Sequence, residues 1–542
     1  MYFNTMMKTN PALMFILLFS ASLTFSCDGG KILVYPIDGS HWLNMKILVE
    51  ALHSRGHEIT VIRSSTSWYV AESSPYYRSI TIPQEQTQNI ESQSHMSSFL
   101  QRSLDIRRRG GTFWAFVDFY KNIFKLIGDN QISVAQQVVN IFENKTLIKE
   151  LNETGYDVCL MDPVFPGGVL VAHYLNLPMV FNVRWIFDGD AHFTAAPSPP
   201  SYVPQLFSHS TDKMNFFQRL NNIVRHGMLV YMFHFVTNPP YQAVCDRYFG
   251  PGHSSRSLMQ NGDIWLMRID FTFEFPRPTM PNIVYIGGFQ VKPSKPLPAD
   301  LEEFVQSSGE HGVVFMTLGT LLGDIGPELS EIIASAFANL PQKVIWRHTG
   351  KRPATLGNNT LLMKWLPQND LLGHPKTKLF ITHGGTNGLY EAIYHGVPVL
   401  GIPLIFDQFD NLLRIETKGA GEMVEATSMD VESLTNALKN ILDPEKPYKQ
   451  NMLKLSQLHR DKPIKPLDSA VYWTEYVMRH KGAAHLRTDS YKLPWYVYHS
   501  LDVMAFFVVC GLLIVTFICI SCKCLIGCLF KSKKSTLKSK KD

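Results

Sequence analysis

Residues 380–393 read FITHGGTNGLYEAI. An apolar run stops at His383, two glycines follow, and a helical pattern starts at about Thr386. Glycine permits backbone angles closed to other residues and lets a ligand approach the main chain. A helix N-terminus adds unpaired N–H groups and a partial positive charge, which suits an anion such as a phosphate. Alone the cluster is weak, since it matches neither the P-loop pattern nor the dinucleotide fingerprint. Its meaning comes from what surrounds it.

Strand-like and helix-like segments alternate on both sides. Apolar runs at 313–318, 344–346, 379–382 and 397–402 read as strands, and segments near 329–339, 388–395, 411–418 and 431–441 read as helices. That alternation predicts a doubly wound α/β layer with ligands at the carboxyl ends of its strands. Farther upstream, KILVY at 31–35 reads as a strand, and Leu43, Ile47, Leu48, Ala51 and Leu52 recur at helical spacing. Gly56 stops that helix, and residues 57–62 return to a strand pattern. A further strand, 158–161, ends at Asp162-Pro163. The βαβ order predicts a second parallel layer. Residues 291–300 (VKPSKPLPAD) hold three prolines and read as the linker between domains at 27–290 and 301–480. The stretch 65–147 mixes helical periodicity with polar connections, which suits an acceptor-binding region or ordinary packing helices. The apolar run 228–236 is too short to cross a membrane.

The ends read differently. Lys8, an apolar stretch at 11–25 and small residues before Cys27 make residues 1–26 a signal peptide. Residues 503–521 are nineteen without a charge, enough for a transmembrane helix, and Trp495, Tyr496 and Tyr498 in the juxtamembrane segment 481–502 suit the interface. The tail 522–542 carries seven lysines, so the positive-inside rule makes it cytoplasmic and the rest lumenal, a single-pass type I arrangement. Lysines three and five from the C-terminus resemble the dilysine retrieval signal of the endoplasmic reticulum membrane, though a basic tail also attracts anionic lipid. The formal charge of +5 lies entirely in that tail, and the remainder is close to neutral, which excludes a nucleic-acid footprint. Only three of the eight cysteines, Cys27, Cys159 and Cys245, fall on the lumenal side, too few for a disulfide framework and without metal spacing. Cys522, Cys524 and Cys528 are acylation candidates or a chance cluster. Asn144, Asn152 and Asn358 head glycosylation sequons.

Chemistry concentrates after the predicted strands of the C-terminal half. Trp365 offers an indole face to a planar base and Gln368 an amide to its edge. The helix from Thr386 faces a diphosphate, with His383 as an added donor or charge, and Glu391 accepts from ribose hydroxyls. Asp407 and Gln408 supply acceptors and a donor suited to a sugar. Each has a bland reading as core aromatic, solvated face or tight turn; their order does not.

Residues 365–411, WLPQNDLLGHPKTKLFITHGGTNGLYEAIYHGVPVLGIPLIFDQFDN, resemble the signature of the UDP-glycosyltransferases, specifically the membrane-bound animal UDP-glucuronosyltransferases. The resemblance is dense there and looser in the N-terminal half. It implies a GT-B fold of two facing Rossmann-like domains, with the donor on the C-terminal one and the acceptor in the N-terminal one. It assigns Trp365 and Gln368 to uracil, Glu391 to ribose, and His383, Thr386 and Asn387 to the phosphates, with Gly385 and Gly388 in the same donor site. Asp407 and Gln408 go to sugar hydroxyls. Thr317 and Thr320 stand where relatives usually carry serine, and Arg268 matches the family's arginine near the donor, where it would pair with a glucuronate carboxylate, a phosphate or a domain-interface acid. His41, in DGSHW after the first strand, matches the catalytic histidine, and Asp162 its acidic partner.

The implied reaction is a single inverting displacement: glucuronic acid passes from UDP-glucuronate to a hydroxyl of a small lipophilic acceptor, with His41 as general base. UDP-glucuronate or another UDP-sugar is a co-substrate, and neither cofactor nor metal is expected. Two departures lie beside the sugar site: Ile405-Phe406 where relatives tend to have Phe and a small residue, and Phe409 where they tend to have Pro. A glucosyl, galactosyl or N-acetylglucosaminyl transferase acting on a lipid or small molecule, and a non-catalytic lumenal binding protein on the same fold, are the alternatives. Phe113, Trp114, Phe116 and Phe119 either line the acceptor pocket or fill a core, and the chain is compatible with homo- or hetero-oligomers.

Overall fold

The computed structural model describes residues 29–84, 93–110, 112–184, 191–319 and 323–538. The expected signal peptide, Thr320 and the last four residues of the tail lie outside them. Of the described residues, those up to Leu486 form one compact unit and those from Arg487 onward another.

Two sheets organise the first unit. One runs β3-β4-β2-β1-β5-β6-β7-β8, built from β1 (Lys31–Tyr35), β2 (Glu58–Ser64), β3 (Ser73–Ser74), β4 (Tyr77–Ile82), β5 (Val158–Met161), β6 (Met179–Val183), β7 (Ile264–Met267) and β8 (Ile283–Tyr285). Its pairings are parallel apart from the short β3 on β4. The other runs β11-β10-β9-β12-β13-β14, built from β9 (Val313–Thr317), β10 (Lys343–Arg347), β11 (Thr360–Met363), β12 (Thr377–Thr382), β13 (Val399–Gly401) and β14 (Gly421–Met423). All its pairings are parallel. Strands covered on both faces read as continuous apolar runs, which is why β1, β5, β9 and β12 are legible in the sequence. The edge strands β11 and β14 escaped that reading, being short and only half-buried.

Helices cover these sheets: α1 (Ser40–Ser54), α2 (Gln93–Arg108), α3 (Phe113–Glu143), α4 (Gly167–Tyr174) and α5 (Phe216–Met232), then α6 (Pro327–Ala338), α7 (Thr386–His395), α8 (Gln408–Thr417), α9 (Val431–Leu442), α10 (Tyr448–Arg460) and α11 (Pro466–His480). The buried stripe of α1 is Trp42, Met45, Leu48, Val49 and Leu52, whereas Leu43 is 37% exposed. The expected stripe is rotated because Trp42 turns inward and meets Tyr77 edge-on, their centroids 5.5 Å apart. In the apolar run 228–236, Leu229, Met232 and Phe233 are buried, and α5 passes into a π-helical turn at Phe233–Thr237.

α11 follows the second sheet in the chain and yet packs on the first. Ala470, Val471 and Val477 share one core with Ile32, Val34, Val158 and Leu160. The halves are also joined across their seam. The Asp270 amide donates to the Tyr390 hydroxyl at 2.8 Å, and the Asp410 carboxylate accepts from the amides of Phe207 and His209 at 2.8 and 3.1 Å. Glu274 pairs with Arg414 at 3.0 Å.

In the second unit, α12 (Leu501–Lys538) contains the expected span. Leu501–Phe530 is long and apolar enough to cross a membrane, with a mean hydropathy of 3.0. The apolar stretch outruns the expected 503–521 because Lys523 is the one charge between Val503 and Phe530.

Without α11 the first sheet would expose an apolar face, at about 25 cal/mol per Å² uncovered. A chain ended at Leu486 should therefore stay soluble with an unchanged protease-resistant fragment. A chain ended at Lys465 should aggregate or be digested, as limited proteolysis would reveal.

Candidate active site

β1 and β5 are neighbours, Tyr35 opposite Met161, so the loops leaving their carboxyl ends emerge side by side. One leads into α1 and carries His41; the other begins with Asp162. The two side chains meet with His41 Nδ1 2.6 Å from Asp162 Oδ2. Asp162 is wholly buried and its other oxygen accepts from the Val164 amide at 3.1 Å. Burial alone would raise the Asp162 pKa, but His41 and Arg268 together hold it below the ordinary carboxylate value. Arg268, after β7, places Nη2 3.2 Å from Asp162 Oδ2 and 3.2 Å from His41 Nδ1. Its own pKa drops to about 10, chiefly through burial. Burial lowers the His41 pKa, more than Asp162 raises it. A neutral ring whose Nδ1–H donates to Asp162 has Nε2 as its basic nitrogen.

The second constellation sits at the carboxyl ends of β9 and β12, where Thr317 pairs with Thr382. The His383 ring lies between two backbone segments. A Cβ on Gly319 would come within 2.8 Å of it, and one on Gly385 within 2.7 Å, so the glycines make room for the imidazole. Burial, then the nearby Arg184, pushes the His383 pKa down to about 4. Of the two expected roles, donor or charge, the neutral donor is the one this environment favours. Thr386 is buried at the start of α7, whose first-turn amides have no side-chain cap. Thr317 is buried, and its hydroxyl accepts from the Gly319 amide at 3.3 Å.

Trp365 is 66% exposed at the rim. Gln368 donates to the Glu391 carboxylate, and Gly388 lies under them, a Cβ there falling 3.2 Å from Gln368 Nε2. Burial raises the Glu391 pKa to about 7, Gln368 opposing it. Asp407 accepts from Asn411 Nδ2 at 2.8 Å, and the same nitrogen donates to the Gly384 carbonyl at 3.0 Å. Gln408 turns inward, its Oε1 accepting from the Leu404 and Ile405 amides at 2.8 and 3.0 Å.

Two contacts bring these constellations together, and the sequence analysis singled out only one side of each. Asn44, one turn beyond His41, exchanges reciprocal amide hydrogen bonds with Asn387, at 2.8 and 3.0 Å. Arg184, at the end of β6, donates from Nη2 to Asp407 Oδ2 at 2.7 Å. The retrievable signal for Arg184 was its place directly after a strand, the rule that found Asp162. Arg268 stands with His41 and Asp162 and not among the C-terminal donor-site residues.

A cavity of about 560 Å³ opens between α2, α3 and the loop before α8, walled by Phe99, Phe116, Phe119, Phe207, Phe406 and Phe409 among others. Phe113 and Trp114 are outside it and exposed. Both departures beside the sugar site therefore face this cavity. Phe406 adopts a left-handed φ of +54°, which costs a bulky residue about 1–3 kcal/mol. Its ring stacks on Phe99 at 5.4 Å. Arg107 covers Phe409 at 4.4 Å, and His209 stacks on it at 4.9 Å. Asn144, Asn152 and Asn358 are all at the surface.

The family model described as UDP-glucoronosyl and UDP-glucosyl transferase matches residues 30–541. UDP-glucuronosyltransferase 2B33 of Macaca mulatta and 2B17 of Homo sapiens are each 43% identical over 531 residues, covering 97% of this chain and 98% of theirs. Among solved structures, a UDP-glucosyltransferase from Polygonum tinctorium capable of glucosylating indoxyl superposes with a TM-score of 0.57 at 14% identity, covering 84% of this chain and 99% of its own. The glycotransferase of kitacinnamycin superposes at 0.53 and 15% identity over 84% and 99%. With two parallel α/β layers meeting in the GT-B manner and a match over nearly its whole length, the chain belongs to the UDP-glycosyltransferase family, the family of the UDP-glucuronosyltransferases.

Proposed function

We propose that the protein transfers glucuronic acid from UDP-glucuronate to a hydroxyl of a small lipophilic acceptor, with inversion at the anomeric carbon. The observation that carries this reading is the His41–Asp162 pair on a helix that Asn44 ties to the N-terminus of α7. His41 Nε2 takes the acceptor's proton as its oxygen attacks the anomeric carbon. Asp162 orients the ring and stabilises it once protonated. UDP leaves with its charge on the α7 amides and the neutral His383 donor. Trp365 and Gln368 take uracil, and Glu391 the ribose. Thr317, Thr386 and Asn387 take the diphosphate, and Asp407 the sugar. Gln408 contributes through its Nε2 and by holding the loop. The aromatic cavity is the acceptor's place, and its rings favour flat apolar molecules such as phenols and steroids.

The same reading puts the enzyme in the endoplasmic reticulum membrane, anchored by α12 with residues 27–499 lumenal. Deleting residues 538–542 should carry the protein to the cell surface, scored by surface biotinylation; unchanged retention would refute the signal.

His41→Ala should cost about 10²–10⁴-fold in kcat, the usual worth of a positioned base, and leave UDP affinity within about twofold. Asp162→Asn should fall by a similar order, because it orients the wrong tautomer. Catalysis needs neutral His41, whose pKa lies below 6.5. The acid limb of kcat/KM that His41 sets should therefore lie on the acid side of an ordinary histidine's titration. Asp162→Asn removes an influence that raises the His41 pKa, so its residual activity should show a limb shifted further toward acid.

Glu391 titrates near 7 in the ligand-free site. A carboxylate accepting from ribose hydroxyls is stabilised as the anion, so its pKa falls when UDP binds. Near pH 7, UDP binding should release a fraction of a proton, read by calorimetry in buffers of different ionisation enthalpy. Glu391→Gln should abolish that release.

A further inference from the structure

Arg184 belongs to the half that carries His41, and its guanidinium reaches into the other half to grip Asp407. Both side chains are about 13–14% exposed. Arg184 Nε is buried without a hydrogen-bond partner among the described residues. The Nε–Nη2 edge of a guanidinium presents two parallel N–H groups that match the two oxygens of a carboxylate. Asp407 uses one of them. The same Asp407 oxygen also accepts from Asn411, so it keeps a partner if Arg184 lets go.

The position is equally particular. The Arg184 charge acts on His41 and Arg268 to one side and on His383 to the other. It thus stands between the base and the turn that meets the diphosphate, where the reading above puts the sugar ring.

We propose that Arg184 recognises the carboxylate at C6 of a hexuronate donor, by exchange: the donor's carboxylate takes the Nε–Nη2 edge, and Asp407, still held by Asn411, turns to the sugar hydroxyls. A neutral hexose presents a hydroxymethyl there and cannot replace Asp407 on the guanidinium. Among the described residues, Arg268 has a buried, unpartnered Nε as well, but its Nη2 lies within 3.2 Å of both Asp162 and His41, which ties it to the catalytic pair. This inference rests on the transferase reading above and adds the residue that selects the donor.

The test compares kcat/KM for UDP-glucuronate and UDP-glucose in the full-length wild type, Arg184→Lys and Arg184→Gln, with the Kd for UDP from calorimetry. UDP alone has no sugar carboxylate, so its Kd should stay within about twofold in both variants. The glucuronate-to-glucose ratio should fall about 100-fold or more in Arg184→Gln and about tenfold in Arg184→Lys, which keeps the charge and loses the fork. A ratio within threefold of wild type in Arg184→Gln would overturn the proposal and leave Arg184 as an interface ion pair. Weakened UDP binding in a folded Arg184→Gln, with the ratio unchanged, would overturn it in favour of a phosphate ligand. If Arg184→Gln does not fold, Arg184→Lys decides, and an unchanged ratio there is fatal. A wild type that prefers UDP-glucose would instead refute the donor assignment itself, whatever the variants do.

Discussion

Asp162 has no contact with solvent. A carboxylate stripped of water persists only where opposite charge and hydrogen bonds replace its hydration, and removing one partner of such a buried pair costs about 3–5 kcal/mol. Three groups meet that demand here: His41, Arg268 and the Val164 amide. Each comes from a different loop at the carboxyl edge of the first sheet. Keeping one buried charge satisfied therefore fixes how three strand ends converge, and it holds the imidazole in one orientation and tautomer. The orientation of the imidazole is a consequence of the packing.

The second half repeats the logic with a different payload. His383 is half-buried between Gly319 and Gly385, where an added Cβ would crowd the ring, and its surroundings hold it neutral. Its turn leads into α7, so the uncapped amides and the imidazole face one small volume. Neither constellation is a transferase centre alone. The Asn44–Asn387 amides and the Arg184–Asp407 pair close the distance between them. α11 then packs the end of the second half's chain onto the first sheet, which ties the halves together a second time.

The two departures from the family pattern take their meaning from this arrangement. Phe406 and Phe409 bracket the residues read as sugar ligands, and by sequence alone they bear on the donor. Their rings instead line the aromatic cavity with Phe99 and Phe119. Phe406 holds a left-handed backbone angle that a small residue would adopt at less cost, and its stacking on Phe99 offsets part of the strain. The variation at these positions thus bears on the shape of the cavity more than on the sugar.

The amino-acid sequence alone determined whatever is local. The alternation of buried strands and amphipathic helices, the glycine turn before α7, the histidine opening α1 and the aspartate closing β5 are each written within about a dozen residues, because periodicity and turn chemistry act over that range. Only the tertiary structure decided the rest. Arg184 and Asp407 are 223 positions apart and Asn44 and Asn387 are 343. Strand order and the seam between halves set those pairings, and no local pattern encodes either. Leu43 turned outward and Trp42 inward for the same reason: a helix has a readable period, but which way its stripe faces is set by the surface it lands on.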